Sequence, residues 1–162
     1  MQKITPFLWF DKNAEEAVNF YLSVFKNSKL VHMQKYPEGP LEGPMKGFEG
    51  KVLTAVFELE GQQFMAIDGG PVFKPSGAVS FLVSCEDQAE VDHYWNALSA
   101  DPAAEQCGWL KDKYGFTWQM NPKRLSELLM DPDKAKAGRV MQAMMPMKKI
   151  IIAELEAAAN KA

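Results

Sequence analysis

Residues 7–25, FLWFDKNAEEAVNFYLSVF, and residues 81–99, FLVSCEDQAEVDHYWNALS, carry one pattern twice. Without a gap, Phe7-Leu8 falls on Phe81-Leu82, Asn13 on Asp87, Glu16 on Glu90 and Phe20-Tyr21 on Tyr94-Trp95, a constant offset of 74 residues (81 minus 7). Each stretch reads as strand, cap and helix. Asn13 with Glu16, and Asp87 with Glu90, have the spacing of a capping box, in which paired side chains satisfy the first backbone N–H groups of a helix. Behind the first cap, Ala14, Ala17, Val18, Tyr21, Leu22 and Phe25 follow the stripe of a helix laid on a sheet, as do Val91, Tyr94, Trp95 and Leu98 behind the second. A further echo places Gly61 on Gly115 and Phe64 on Trp118, so a later strand is repeated too. Internal repetition of this kind fixes the architecture before any site is considered, and here it predicts two copies of one small module.

Working outward, residues 29–36 and 51–60 read as strands, with Leu53, Ala55, Phe57 and Leu59 alternating in the second, and a turn at Gly61-Gln62 leads into a strand over 63–68. Residues 78–85, 103–112 and 115–120 supply the strands of the second module. Residues 37–50, PEGPLEGPMKGFEG, are too dense in glycine and proline for a regular element. They form either a surface loop or a lid over a cleft. Pro122 opens a helical tail in which Leu125, Leu128 and Leu129 make a short stripe. Pro132 ends that stripe, a second helix begins near residue 134, Pro146 interrupts it, and Met147, Ile150, Ile151 and Leu155 recur at helical spacing. Met130, Met141, Met144, Met145 and Met147 crowd this tail. The reading favours packing over an adaptable binding face for them, in part across a subunit boundary.

The 162 residues carry a net charge of −3, 47% hydrophobic and 24% charged residues. That balance suits one domain with a proper core, burying roughly 70% of the unfolded surface, and provides no basic footprint for nucleic acid or an anionic membrane. Met1-Gln2-Lys3-Ile4 runs into a strand pattern without a signal-peptide core, and no run is long enough to span a bilayer, so a cytoplasmic protein is expected. Cys85 and Cys107 are read as reduced thiols with no catalytic context.

On PFLWFD at 6–11, GQQFMAIDGGP at 61–71, VDHYWNAL at 91–98 and CGWLKDKYGFTWQMNP at 107–122, the chain resembles the vicinal oxygen chelate superfamily of glyoxalase, bleomycin-resistance and extradiol dioxygenase proteins. Within it the chain is similar to the PhnB-like family, whose members often carry the label 3-demethylubiquinone-9 3-methyltransferase. RVMQAMMPMKKIIIAELEAA at 139–158 resembles that family's closing helix. The resemblance implies an α+β fold: a single glyoxalase-like domain over 1–162, with tandem βαβββ modules at about 1–72 and 76–122 forming a concave mixed sheet, and a helical tail at 123–162. In metal-using members each module presents one ligand from its first strand and one from its last. Those positions fall near Pro6 and Ser80, and near Met65 and Gln119. Pro, Ser and Met are not the imidazole or carboxylate that catalytic zinc, iron or manganese wants, and a lone amide cannot hold a divalent ion, so no metal and no cofactor is expected.

Alternation along the strands directs Phe64, Ala66 and Trp118 to the helices, and Met65, Ile67, Thr117 and Gln119 into the concavity. Ser80, Leu82 and Ser84, and Pro6, Leu8 and Phe10, are expected to join them. His32 either lines the cleft or is structural, His93 is a surface or hydrogen-bonded residue, and Trp109 either closes the cleft or fills core. Asp68 and Asp112 are the nearest carboxylates. Each is a general base if buried beside a substrate, and otherwise a turn cap. Such a lining suits a small, partly apolar or aromatic ligand. The function expected is metal-independent small-molecule binding by a homodimer whose clefts are completed by both chains. The alternatives are an oxygen-chelate-type enzyme using Gln119, Ser80 and an Asp, and an interaction module whose cavity its own side chains fill. Methyl transfer is disfavoured, because Asp68-Gly69-Gly70-Pro71 leads towards another strand and not into the helix that an adenosylmethionine site commonly uses.

Overall fold

Strand β1 occupies Phe7–Phe10 and helix α1 Ala14–Val24, in the order that residues 7–25 predict. The computed structural model describes residues 2–161. Strands β2 (Ser28–Lys35), β3 (Val52–Leu59) and β4 (Gln62–Asp68) follow, and the sheet order is β1-β4-β3-β2, with β1 parallel to β4 and the other pairs antiparallel. The second module comprises β5 (Ser80–Cys85), α2 (Gln88–Leu98), β6 (Trp109–Lys111) and β7 (Thr117–Pro122), in sheet order β5-β7-β6 with β5 parallel to β7. Helices α3 (Lys123–Leu129), α4 (Lys134–Met144) and α5 (Ile152–Ala159) complete the chain. It divides into two compact units, Met1–Pro75 and Ser76–Ala162.

In the first unit α1 buries Ala14, Ala17, Val18, Tyr21 and Val24 against the sheet. Tyr21 stacks on Phe57 at 6.5 Å and Phe57 on Phe64, its cross-strand neighbour, at 5.6 Å, a column of rings that fixes the helix over β3 and β4. The expected capping box does not form at Asn13, whose side chain makes no cap bond. Asp68, at the end of β4, replaces it. One carboxylate oxygen accepts the Ala14 N–H at 2.8 Å and the other the Val52 N–H at 2.9 Å, so a single buried side chain caps α1 and anchors the start of β3. In the second module Asp87 caps α2, its carboxylate accepting the Glu90 N–H at 2.9 Å, while the Glu90 carboxylate reaches back one residue further than expected and accepts the Glu86 N–H at 2.8 Å.

Module two is one strand short of module one. Of residues 103–112, read as a strand, Trp109–Lys111 form β6 and Gln106 makes an isolated bridge to Trp109, while Pro102–Ala104 form a short 3-10 turn capped by Asp101. The reason is chain length. Module one uses residues 25–51 between its helix and β3, whereas residues 99–108 leave no room for a strand and its return.

The tail helices pack chiefly on one another, with Leu125, Leu128, Val140, Met147, Ile150, Leu155 and Ala159 forming one core, beside Leu129 and Met144. Met130, Met141 and Met145 do not share in this packing and are exposed. Arg139 donates to the carbonyls of Ala158 and Ala159 at the end of α5. The tail is sewn to module two by backbone: Cys107 N–H donates to Met147 and Gly108 N–H to Lys148, both at 2.7 Å. Gly108 has φ +83° and a Cβ there would lie 2.8 Å from the Met120 carbonyl oxygen, so the close approach requires glycine.

Candidate functional site

One face of each sheet carries the helix and the other is left open. In module one the register sets Phe7 opposite Met65, Leu8 opposite Ala66, Trp9 opposite Ile67 and Phe10 opposite Asp68. Leu8 and Phe10, expected to line the concavity, therefore share the helix side with Ala66 and Phe64 and are buried in the core. Pro6 has the same parity, and its carbonyl accepts the Met65 N–H. The open face instead presents Phe7, which is 53% exposed, with Trp9, Met65 and Ile67 half-buried. His32 stands opposite Val56 at the exposed margin of the same face.

The misplacement has a definite cause. Phe7 opposes Met65 and Leu82 opposes Gln119, so Phe7 corresponds to Leu82 and not to Phe81. Asp11, Lys12 and Asn13 separate β1 from α1, but only Glu86 and Asp87 separate β5 from α2. An ungapped match is correct for the helices and one residue out for the first strands, and one residue exchanges the faces of a strand. By the same register Ser80 corresponds to Thr5.

In module two the expected lining residues do share the open face. Ser80 lies opposite Thr117, Leu82 opposite Gln119 and Ser84 opposite Asn121. The Gln119 amide donates to the Ser80 hydroxyl at 2.8 Å, which fixes both side chains. Trp109 lies across from Gln119 and is 38% exposed, which places it on this face and not in the core. Leu110, between Trp109 and Lys111, is fully buried beside Trp118, so Lys111 emerges on the open face next to Thr117. Sequence reading missed Lys111 because a strand drawn over 103–112 hid the short in-out alternation of Trp109-Leu110-Lys111.

The two carboxylates are occupied by the backbone. Asp68 holds Ala14 and Val52, while Asp112 accepts the N–H groups of Tyr114 and Phe116 and the Trp118 indole at 2.8 Å. Both are buried turn and cap residues. His93 lies on α2 against the Tyr94 ring, away from the strands. Burial, with the charges of Glu90 and Asp87, pushes the Cys85 thiol up to about 12, where it is chemically inert.

The 37–50 loop is closed by internal hydrogen bonds. Its ends meet where Tyr36 N–H donates to Lys51, and the N–H groups of Glu49 itself, Leu41 and Gly47 hold the Glu49 carboxyl below the usual range. Phe48 anchors it between Tyr36 and the Lys12 ammonium, which lies 5.1 Å from its ring centre. A shallow polar hollow of about 390 Å³ lies alongside, between Lys12, Glu16, Asn19 and Lys51.

The family model for 3-demethylubiquinone-9 3-methyltransferase matches residues 2–121. A putative 3-demethylubiquinone-9 3-methyltransferase, PhnB protein, from Bacillus cereus is 41% identical over 75% of this chain and 99% of its own, with a TM-score of 0.63. The chain belongs to the PhnB-like family. That family lies within the vicinal oxygen chelate superfamily. Protein PA1353 from Pseudomonas aeruginosa, 21% identical over 75% of this chain and 98% of its own, shares the fold with a TM-score of 0.58. No curated protein matches the chain. The family match ends at Asn121, so the stretch at 139–158 that resembles a closing helix lies beyond it.

By the register of this PhnB-like chain, the metal positions that the resemblance implies fall on Thr5, in place of Pro6, and Met65 in one module and on Ser80 and Gln119 in the other. Two hydroxyls, a thioether and an amide do not fit a divalent transition metal. Among the described residues no three His, Cys, Asp or Glu side chains gather to hold one. Adenosylmethionine fits no better at the glycine pair. A Cβ on Gly69 would meet the Trp9 ring at 2.2 Å, and the Gly70 carbonyl accepts the Trp9 indole N–H at 2.9 Å. Gly69 makes room for an indole, which Phe73 meets edge-on at 5.0 Å.

Proposed function

We propose that this PhnB-like chain binds a small, partly apolar or aromatic molecule without a metal, and that it works as a homodimer whose clefts both chains complete. The observation that carries the reading is the row Trp109–Gln119–Leu82, in which an amide oriented by Ser80 sits between two apolar side chains on an open sheet face. A few fixed polar groups in an apolar lining are what a small-molecule site needs for orientation. The exposed Phe7, and Met65 and Ile67 of module one, supply apolar surface of the same kind. Methyl transfer, which the family's description names, finds no support in Gly69 and Gly70. The enzyme alternative that would use Ser80, Gln119 and an Asp is weakened because both carboxylates are committed to backbone N–H groups.

Native mass spectrometry of gently purified protein tests the reading. A metal-free dimer carrying additional mass is expected. A monomer without added mass, or a stoichiometric, tightly held transition metal, would overturn it.

A further inference from the structure

Module two's open face holds a cation that the apolar reading does not explain. Two adjacent rows cross the sheet, Lys111–Thr117–Ser80 and Trp109–Gln119–Leu82. Lys111 is half-buried and, among the described residues, pairs with no carboxylate. Its sequence neighbour Asp112 points to the opposite face, where Tyr114, Phe116 and Trp118 occupy its oxygens. A cation on the open face that lacks a counter-ion favours an anion supplied from outside. Ser80 adds to this. Its oxygen accepts from Gln119, which leaves its own O–H to donate outward. Trp109, one row away on the same face, offers an aromatic surface beside a group held by Lys111.

Resting on the small-molecule reading, we propose that Lys111 and Ser80 form a subsite for the anionic group of a small aromatic acid, with Trp109 as the platform for its ring. A single lysine without a second cation suits a monoanion such as a carboxylate. The charge complementarity selects the acid over its neutral relatives, and the apolar row selects it over a bare anion.

The test uses the full chain and three probes: indole-3-acetate, its uncharged counterpart indole-3-acetamide, and acetate. Titrations followed by the Gln119 side-chain amide and Trp109 indole signals in 15N spectra should show the aromatic acid binding about tenfold tighter than either control, the worth of one charge-assisted hydrogen bond. Lys111→Gln should remove the preference for acid over amide, and Lys111→Arg should restore most of it. Retained spectral dispersion in both variants reports an intact fold. Equal affinity for acid and amide, a preference that survives Lys111→Gln, or no response to any probe would each overturn the subsite. The small-molecule reading is judged separately, by the native spectrum, so the two fail by different measurements.

Discussion

At Gly69 the chain has no space for even a methyl group, because the Trp9 ring passes where a Cβ would stand. Trp9 is held there by its bond to the Gly70 carbonyl and by Phe73. Gly69→Ala should therefore lower stability by about 1–3 kcal/mol, the usual cost of overpacking, seen as a reduced urea midpoint. Combined with Trp9→Leu, which removes the ring, the same change should cost much less, so a double-mutant cycle gives strong coupling. No sequence signal separates a glycine that admits a cofactor from one that admits an indole; Asp68-Gly69-Gly70-Pro71 has the same letters in either case. Asp68 shows a second limit. Its residue type announces a cap, but the helix it caps starts at Ala14, far away in sequence, and only the pairing of β1 with β4 brings the two together.

Among the elements, the helices were the most legible. Tyr21, Trp95 and Leu98 bury as their spacing predicts, because a stripe of several turns averages over any single error. Short strands have no such redundancy. Four residues of β1 alternate strictly, so Leu8 and Phe10 were read onto the wrong face when the helices' offset was applied to them. In module two the same alternation, started from Ser80 and Gln119, agrees with the register, which sets Ser80 opposite Thr117 and Leu82 opposite Gln119. The join of α2 to the tail was not legible at all. Gln88, a first-turn residue with no special pattern, donates to the Ile150 carbonyl at 3.1 Å and accepts the Ile152 N–H at 2.8 Å, clasping the chain on either side of Ile151. Gln88→Ala should cost about 1–2 kcal/mol and selectively raise hydrogen exchange at Ile152 and the first turn of α5. Unchanged exchange there would mean that the hydrophobic core of the tail alone sets its attachment.

For the molecule as a whole, the family match and the folding unit have different boundaries. The match stops at Asn121, whereas the second compact unit runs from Ser76 to Ala162 and includes the three tail helices. Ending the chain after Pro122 should therefore remove structural support from module two: Gly108 loses the Ile150 side chain beside it, and Cys107 and Gly108 lose the carbonyls they donate to. The shortened protein should lose the cooperative thermal transition of the second unit in calorimetry, and a transition retained at the same temperature would make the tail a dispensable attachment. The repeat itself was plain in the sequence, since the caps and paired aromatics survive in both copies. What it concealed was the extra residue among Asp11, Lys12 and Asn13. That residue makes the two halves non-interchangeable at the genetic level. Loss of one codon there would leave every side chain of the first strand intact in identity yet send the Leu8 and Phe10 side chains out to solvent and the Phe7 and Trp9 side chains inward, or else unwind the first turn of α1 from Asp68. A deletion that looks minor on the page would thus act as a wholesale inversion, and a consensus half built by averaging the copies would inherit the same fault.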